Sequence, residues 1–167
     1  AKISGDKTHM FEVYRWLLLE IKRKERNVPD FFCTMLCTTP FRKIEHVKKA
    51  KNILESGDYD WVLSVNEFEH HPYRAMTINT ENLLTPTYDI PEQLIWANRQ
   101  ELPVFYRFNG GIIAGLSKHV LNNKEYNIKY KTDLKIFPII MSQVESIDID
   151  NPIDLELARM VSKDGMQ

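Results

Sequence analysis

Phe31-Phe32-Cys33-Thr34-Met35-Leu36-Cys37 is a nearly continuous apolar run, the pattern of a central strand buried on both faces. Before it, Met10, Val13, Trp16, Leu17 and Ile21 recur at helical spacing. They predict an amphipathic helix from Thr8 to about Arg26, with Thr8 as its cap and Lys22-Arg23-Lys24 at its negative end. After the run, Ile44 to Glu55 reads as a second helix, with Val47, Ala50, Ile53 and Leu54 turned inward and Ser56-Gly57-Asp58 as its stop. Trp61-Val62-Leu63-Ser64-Val65 is another buried strand. Helix, strand, helix, strand in this order predicts an α/β protein whose mostly parallel sheet is joined by crossover helices.

The 167 residues are enough for one domain, and 43% hydrophobic with 27% charged residues is an ordinary globular composition. A formal charge of -1 offers no global attraction to nucleic acid or acidic lipid. No apolar run is long enough to span a membrane, and no signal-peptide pattern opens the chain. Neither nucleic acid nor a membrane is therefore expected as a partner. Cys33 and Cys37, the two cysteines, stand about 13 Å apart if the run is a strand, too far for a disulfide. Buried free thiols in a reducing cytoplasm are the expectation.

Beyond the first strand, Thr38-Thr39-Pro40-Phe41-Arg42 brings two hydroxyls and an arginine to a strand end. That suits phosphate or sugar, and it equally suits an ordinary turn. After Asn66 the character changes. His70-His71-Pro72-Tyr73-Arg74 reads as a polar loop rather than a metal site, since adjacent histidines diverge and no third ligand is near in sequence. Ala75 to Asn79 and Leu83 to Thr87 suggest a small hairpin around Thr80-Glu81-Asn82. Arg99 carries the fork that holds carboxylate or phosphate, although an ordinary surface arginine is the commoner outcome for such a residue. Val104 to Phe108 is a short aromatic strand, and Asn109-Gly110-Gly111 is a tight turn or a place of close backbone approach. Ile112 and Ile113 enter a further strand, Ser117 to Leu121 a short helix, and Lys135 to Met141 another strand.

Ile147-Asp148-Ile149-Asp150-Asn151-Pro152-Ile153-Asp154 reads as a strand end, a sharp turn and the first turn of a helix. Alternation puts Asp148 and Asp150 on one side. Asn151 suits the N-cap, Pro152 the first helical position, and Asp154 the positive end of the helix dipole. Two readings stay open: paired carboxylates for a hard cation such as Mg²⁺, or a helix cap beside two solvated acids. Leu155, Leu157, Ala158 and Val161 give that helix its apolar side.

The series Thr38-Thr39-Pro40-Phe41-Arg42, Tyr59 to Val65, Arg99-Gln100-Glu101-Leu102-Pro103, Asn109-Gly110-Gly111-Ile112-Ile113 and Ile147-Asp148-Ile149-Asp150 resembles the acylneuraminate cytidylyltransferases, also called CMP-sialic acid synthetases. The resemblance extends from about Ser4 to Val161. It implies a Rossmann-like, glycosyltransferase-A-like α/β fold, a single domain over residues 1–167 whose segment 70–108 projects as a dimerisation and sugar-side element. It implies a cytoplasmic homodimer that transfers CMP from CTP to a nonulosonic acid such as N-acetylneuraminate, releasing pyrophosphate, with Mg²⁺ on the phosphates. Asp148 and Asp150 resemble the metal-binding, catalytic acids. Arg99 and Gln100 resemble a pair that reaches the sugar from a partner subunit's swapped element. Asn109 with Gly110 resembles the sugar-side turn, and Thr38 and Thr39 the Thr-Ser of a Gln-Pro-Thr-Ser-Pro run.

Three departures from the family pattern bear on function. Leu36 stands where many members carry a sugar-contacting glutamine, and Ile113 where many carry a tyrosine. Both direct attention to a pseudaminate- or legionaminate-type sugar. An Ala-Arg-x-Gly-Ser-Lys-type CTP loop, which opens family members, does not precede the first helix. The chain thus resembles the carboxyl-terminal part of a synthetase, and a non-catalytic dimerisation or binding module is the alternative.

Overall fold

A computed structural model describes Gly5, residues 8–122 and residues 134–163; the expectations that touch Ala1 to Ser4 lie outside them. Among the described residues four strands form the main sheet: β1 (Phe31–Thr34), β2 (Trp61–Glu67), β5 (Tyr106–Leu116) and β6 (Ile136–Ile140), in the order β1-β5-β2-β6. β2 and β6 pair parallel, whereas β5 is antiparallel to both β1 and β2. Three of the four strands therefore run one way, and the predicted α/β sheet, mostly parallel, is present. β5 is the exception, and it separates β1 from β2.

Alternation along the strands divides the core into two layers. Val62, Ile112, Ala114, Ile139 and Met141 pack with Ala50 and Leu54 of α2 (Ile44–Glu55) on one face. Trp61 and Val120 pack with Phe11, Tyr14 and Leu18 of α1 (Met10–Glu25) on the other, joined by Phe32 and Ile113. α4 (Ser117–Asn122) lies on the α1 side, where Arg15 Nη1 donates to Leu121 O at 3.0 Å and so satisfies an orphan carbonyl near the end of α4. Trp61 stands opposite Gly115 in the ladder, and a Cβ there would come within 2.6 Å of the indole ring. Only glycine lets that ring lie flat against β5.

Four expectations need correction. Phe31–Cys37 is not a central strand: only Phe31–Thr34 pairs, and β1 is an edge of the described sheet. Cys33 and Cys37 are consequently exposed rather than buried, though both are free thiols. The face of α1 is rotated from the one predicted, with Met10, Trp16 and Leu17 exposed while Phe11, Tyr14 and Leu18 are buried; its N-cap is His9, without a side-chain cap bond. In the last helix, α5 (Pro152–Lys163), Ala158 and Val161 are buried but Leu155 and Leu157 are exposed. Periodicity identified both helices, but many apolar side chains on each left their buried stripes ambiguous.

Between β2 and β5 the chain leaves the sheet. A 3-10 turn (Pro72–Arg74), the hairpin β3 (Met76–Ile78) and β4 (Leu84–Pro86), the short helix α3 (Glu92–Ile95) and a second 3-10 turn (Arg99–Glu101) make up this excursion. The hairpin turn is built as its sequence implies: Asn79 Oδ1 accepts from Glu81 N and Leu83 N, and Asn82 takes the left-handed conformation that asparagine tolerates. The neck is closed by Phe68 N donating to Phe105 O at 2.9 Å and by edge-on contacts among His71, Tyr73 and Phe105. His71 Nδ1 accepts from Tyr73 N, and its Nε2 lies 3.0 Å from Pro103 O, so the ring serves this neck. Among the described residues no group of three or more His, Cys, Asp or Glu is placed to hold a metal.

Candidate active site

A pocket of about 500 Å³ opens beyond the carboxyl ends of β1, β2 and β6, where open α/β sheets take their ligands. Its lining includes Leu36 past β1, Glu69 past β2, Arg107 to Gly110 of β5, Gln143 to Asp148 past β6, and Asp150 and Asp154 at the start of α5.

A break in the β2–β5 ladder shapes the floor. Leu63 faces Ile113, but two residues on, Val65 faces Phe108, so Asn109-Gly110-Gly111 bulges out of register. The buried Ser64 hydroxyl replaces the lost ladder bonds, donating to Asn109 Oδ1 at 2.5 Å and accepting from Ile112 N at 2.6 Å. Gly111 N also donates to Asn109 Oδ1, and Asn109 Nδ2 donates to Ser146 Oγ at 2.8 Å. Ser146 Oγ in turn donates to Ser142 O at 2.7 Å. Asn109, expected at the sugar, thus spends both ends of its amide on tying β5 to the Ser142–Ser146 turn. Gly110 has φ +71, and a Cβ there would meet Leu36 Cδ1 at 2.9 Å, so backbone and leucine close against each other at the pocket wall.

Asp148 and Asp150 both line the pocket, as the i, i+2 spacing predicted. The segment carrying them is not a sheet strand, however. It is irregular chain without ladder partners, pinned where Ile149 N donates to Thr38 O at 2.9 Å. Behind it the helix start is capped reciprocally. Asn151 Oδ1 accepts from Ile153 N and Asp154 N, while Asp154 Oδ2 accepts from Asp150 N and Asn151 N at 3.0 Å. Asp154 is thereby consumed by the cap. Asp148 Oδ1 is sealed from solvent without a hydrogen-bond partner, whereas Asp150 is exposed. A buried carboxylate oxygen with no partner is costly unless a ligand completes it. Beside a solvent-facing second acid, it fits a hard cation that takes one or two carboxylates and fills its remaining positions with water or phosphate.

The remaining candidates fall elsewhere. Thr38 contributes its carbonyl to the acid segment; Thr39 is 0% exposed, so its hydroxyl does not present itself to a substrate. Arg42 Nη1 donates to Leu36 O at 2.6 Å and Thr39 O at 2.8 Å, clamping its own loop. Arg99 and Gln100 are exposed on the excursion, outside the pocket lining, with Arg99 Nη2 3.6 Å from Glu67 Oε1. Ile113 packs in the α1 layer, not at the pocket. Beneath the Ser142–Ser146 turn, Glu145 pairs with Lys43 Nζ at 2.9 Å and accepts from Ser142 N at 2.8 Å. Burial raises its pKa, but the Lys43 and Ser142 bonds together outweigh that and hold it down at about 2.

Arg107, Glu69, Gln143 and Ser146 are pocket residues that the sequence reading passed over. For Arg107 a signal existed, because Arg107 and Asn109 are two apart on one strand and share a face.

The fold is shared with solved structures. A 4-diphosphocytidyl-2C-methyl-D-erythritol synthase from Anaerococcus prevotii superposes with a TM-score of 0.59 at 13% identity, over 96% of this chain and 67% of that one. A CMP:2-keto-3-deoxy-manno-octonic acid synthetase complexed with CTP superposes with a TM-score of 0.55 at 12% identity, over 91% of this chain and 68% of that one. In sequence, the chain is similar to a CMP-N,N'-diacetyllegionaminic acid synthase of Legionella pneumophila, 29% identical over 144 residues, covering 84% of this chain and 58% of the relative. An N-acylneuraminate cytidylyltransferase of Streptococcus agalactiae is 28% identical over 125 residues, covering 74% of this chain and 28% of the relative. The chain thus spans little more than half, or less, of these curated relatives. No family model matches. The similarity to an N-acylneuraminate cytidylyltransferase therefore extends beyond the motifs, over 74% of this chain.

Proposed function

We propose that this chain forms the sugar side and the metal-binding acids of a cytidylyltransferase that moves CMP from CTP to a nonulosonic acid and releases pyrophosphate. The observation that carries the reading is the unpartnered, buried Asp148 Oδ1 beside Asp150 in a pocket at the carboxyl ends of the strands. Asp148 and Asp150 hold Mg²⁺, which when bound stabilises charge on the CTP phosphates. The sugar's anomeric hydroxyl attacks the α-phosphorus and the bond to pyrophosphate breaks. In such a transfer the protein mainly positions its reactants. The bulge at Asn109–Gly111 sets the pocket floor, and the Thr38 carbonyl and the α5 cap hold the acids above it.

Leu36 and Phe108 give the pocket an apolar wall, which favours a deoxygenated legionaminate-type sugar over the more hydroxylated N-acetylneuraminate. The excursion carries Ile78, Leu84 and Trp96 at 68%, 71% and 74% exposure, more apolar surface than a small two-stranded unit leaves in water without a partner. This supports a homodimer in which Arg99 and Gln100 reach the other subunit's pocket. Among the described residues no helix is long and apolar enough to cross a membrane, and the cytoplasm, with its CTP, is the proposed location.

The test is pyrophosphate release by the full protein carrying these residues, supplied with CTP, Mg²⁺ and either N,N'-diacetyllegionaminate or N-acetylneuraminate. Turnover that is Mg²⁺-dependent and at least a hundredfold lower in D150A is expected. Unchanged turnover in D150A at limiting Mg²⁺ removes the metal assignment, and no turnover with any nonulosonic acid removes the reaction.

A further inference from the structure

We infer that Arg107 grips the carboxylate of the sugar acid, and so sets the position of the hydroxyl that attacks. The sugar's identity rests on the function proposed above; the anion-binding role rests on the pocket itself. Four carboxylates line that pocket, those of Glu69, Asp148, Asp150 and Asp154, and Arg107 is the sole cation among the described lining residues. An anionic ligand entering such a site meets repulsion everywhere except at this guanidinium.

The side chain is also held in position. Arg107 Nε donates to Asn66 Oδ1 at 3.2 Å, and Asn66 is only 1% exposed. Asn66 Nδ2 in turn donates to Gln143 Oε1 at 2.8 Å, and Gln143 Nε2 to Glu67 O at 2.7 Å. A fully buried asparagine fixed from behind thus orients the Nε edge. The two terminal nitrogens are left without an ion-pair partner among the described residues, even though acids share the pocket. A planar fork with its outer edge open is the arrangement that takes a carboxylate through two parallel hydrogen bonds. Arg99 differs on both counts, lying outside the lining and facing Glu67.

The chemistry gives this contact a purpose. In a nonulosonic acid the carboxylate and the nucleophilic hydroxyl are borne by the same anomeric carbon. Gripping the carboxylate therefore restricts the orientation of the hydroxyl on the same carbon, inside the pocket that Asp148 and Asp150 also line.

Calorimetric titration of N-acetylneuraminate, N,N'-diacetyllegionaminate and their methyl esters into wild type, R107A and R107K tests the assignment. Thermal unfolding of each variant establishes that it is folded. Wild type is expected to prefer at least one acid over its ester by tenfold or more; R107A should lose that preference, and R107K should keep part of it. An acid bound no better than its ester by wild type, or bound within twofold by R107A, overturns the assignment, as does equal loss of acid and ester. Titrating CTP with Mg²⁺ in parallel separates the two ideas. Acid-selective binding through Arg107 without CTP binding or turnover would remove the proposed reaction and leave the carboxylate site standing.

Discussion

The sheet body and the excursion between β2 and β5 are built from similar proportions of apolar residues but spend them differently. In the body, α2 covers one face of the sheet and α1 with α4 the other, so Val62, Ile112 and Ile139 are excluded from water. In the excursion, every residue of β3 is exposed and the hairpin's apolar side chains meet solvent. The body covers its own apolar faces. The excursion is held by its neck and by turn chemistry, and it has its largest apolar surfaces left for another partner. A two-stranded hairpin alone is marginal in water, which makes the neck contacts at His71, Tyr73 and Phe105 more important than the hairpin ladder.

Substitutions should separate the two regions. Ile112→Ala, in the centre of the body, is expected to cost about 3–4 kcal/mol in urea unfolding, because a buried side chain is lost and the cavity cannot close. A cost below about 1 kcal/mol would show that the two-layer core is looser than described. Asn109→Ala leaves the Ser64 and Ser146 hydroxyls and Gly111 N short of partners, and a loss of about 2 kcal/mol is expected. Its turnover should fall as well, since the bulge shapes the pocket floor.

Glu145→Gln tests the turn beneath that floor. The carboxyl is held down at about 2 from the ordinary 4.5, so its contribution is complete above pH 4.5 and disappears as pH falls toward 2. With Lys43 half exposed, that contribution is on the order of 1 kcal/mol at pH 7. The gap between wild type and variant should therefore narrow steadily in unfolding curves taken between pH 5 and 3. A gap that stays constant across this range would place the effect in packing instead. The smallest stability change, below about 0.5 kcal/mol per subunit, belongs to Ile78→Lys with Leu84→Glu, which puts opposite charges on a cross-strand pair of the exposed hairpin. Light scattering should nevertheless find the doubly substituted protein monomeric. A large loss of subunit stability without a change of mass would mean that the hairpin packs on its own body.

Where chemistry was local, it was legible. Asn151, Pro152 and Asp154 announced a capped helix, and the cap has the expected bonds. The spacing of Asp148 and Asp150 placed both acids at one pocket, although the strand expected to carry them is pinned coil. The hairpin around Asn79–Asn82 was readable for the same reason, because asparagine makes its turn with neighbours two and four residues away. Non-local features were not legible. Phe31–Cys37 looks like a central strand because its composition is apolar, but composition does not say which strand lies beside it. Thr39, Arg42 and Asn109 carried groups suited to ligands, yet each is occupied or sealed by the protein itself. Nothing in a residue's type reveals that its hydrogen bonds are already spent.

The sequence alone determined the α/β class, the cap of α5, the hairpin turn and the pairing of two acids, because each of these local features depends on residues within a few positions of one another. Tertiary structure decided that β5 runs antiparallel between β1 and β2, that its ladder breaks at Asn109–Gly111, and that Arg107 and Asp148 line one pocket. Strand order and register depend on which distant surfaces exclude the most water and satisfy the most backbone groups at once. That is a property of the assembled sheet, and no single segment contains it.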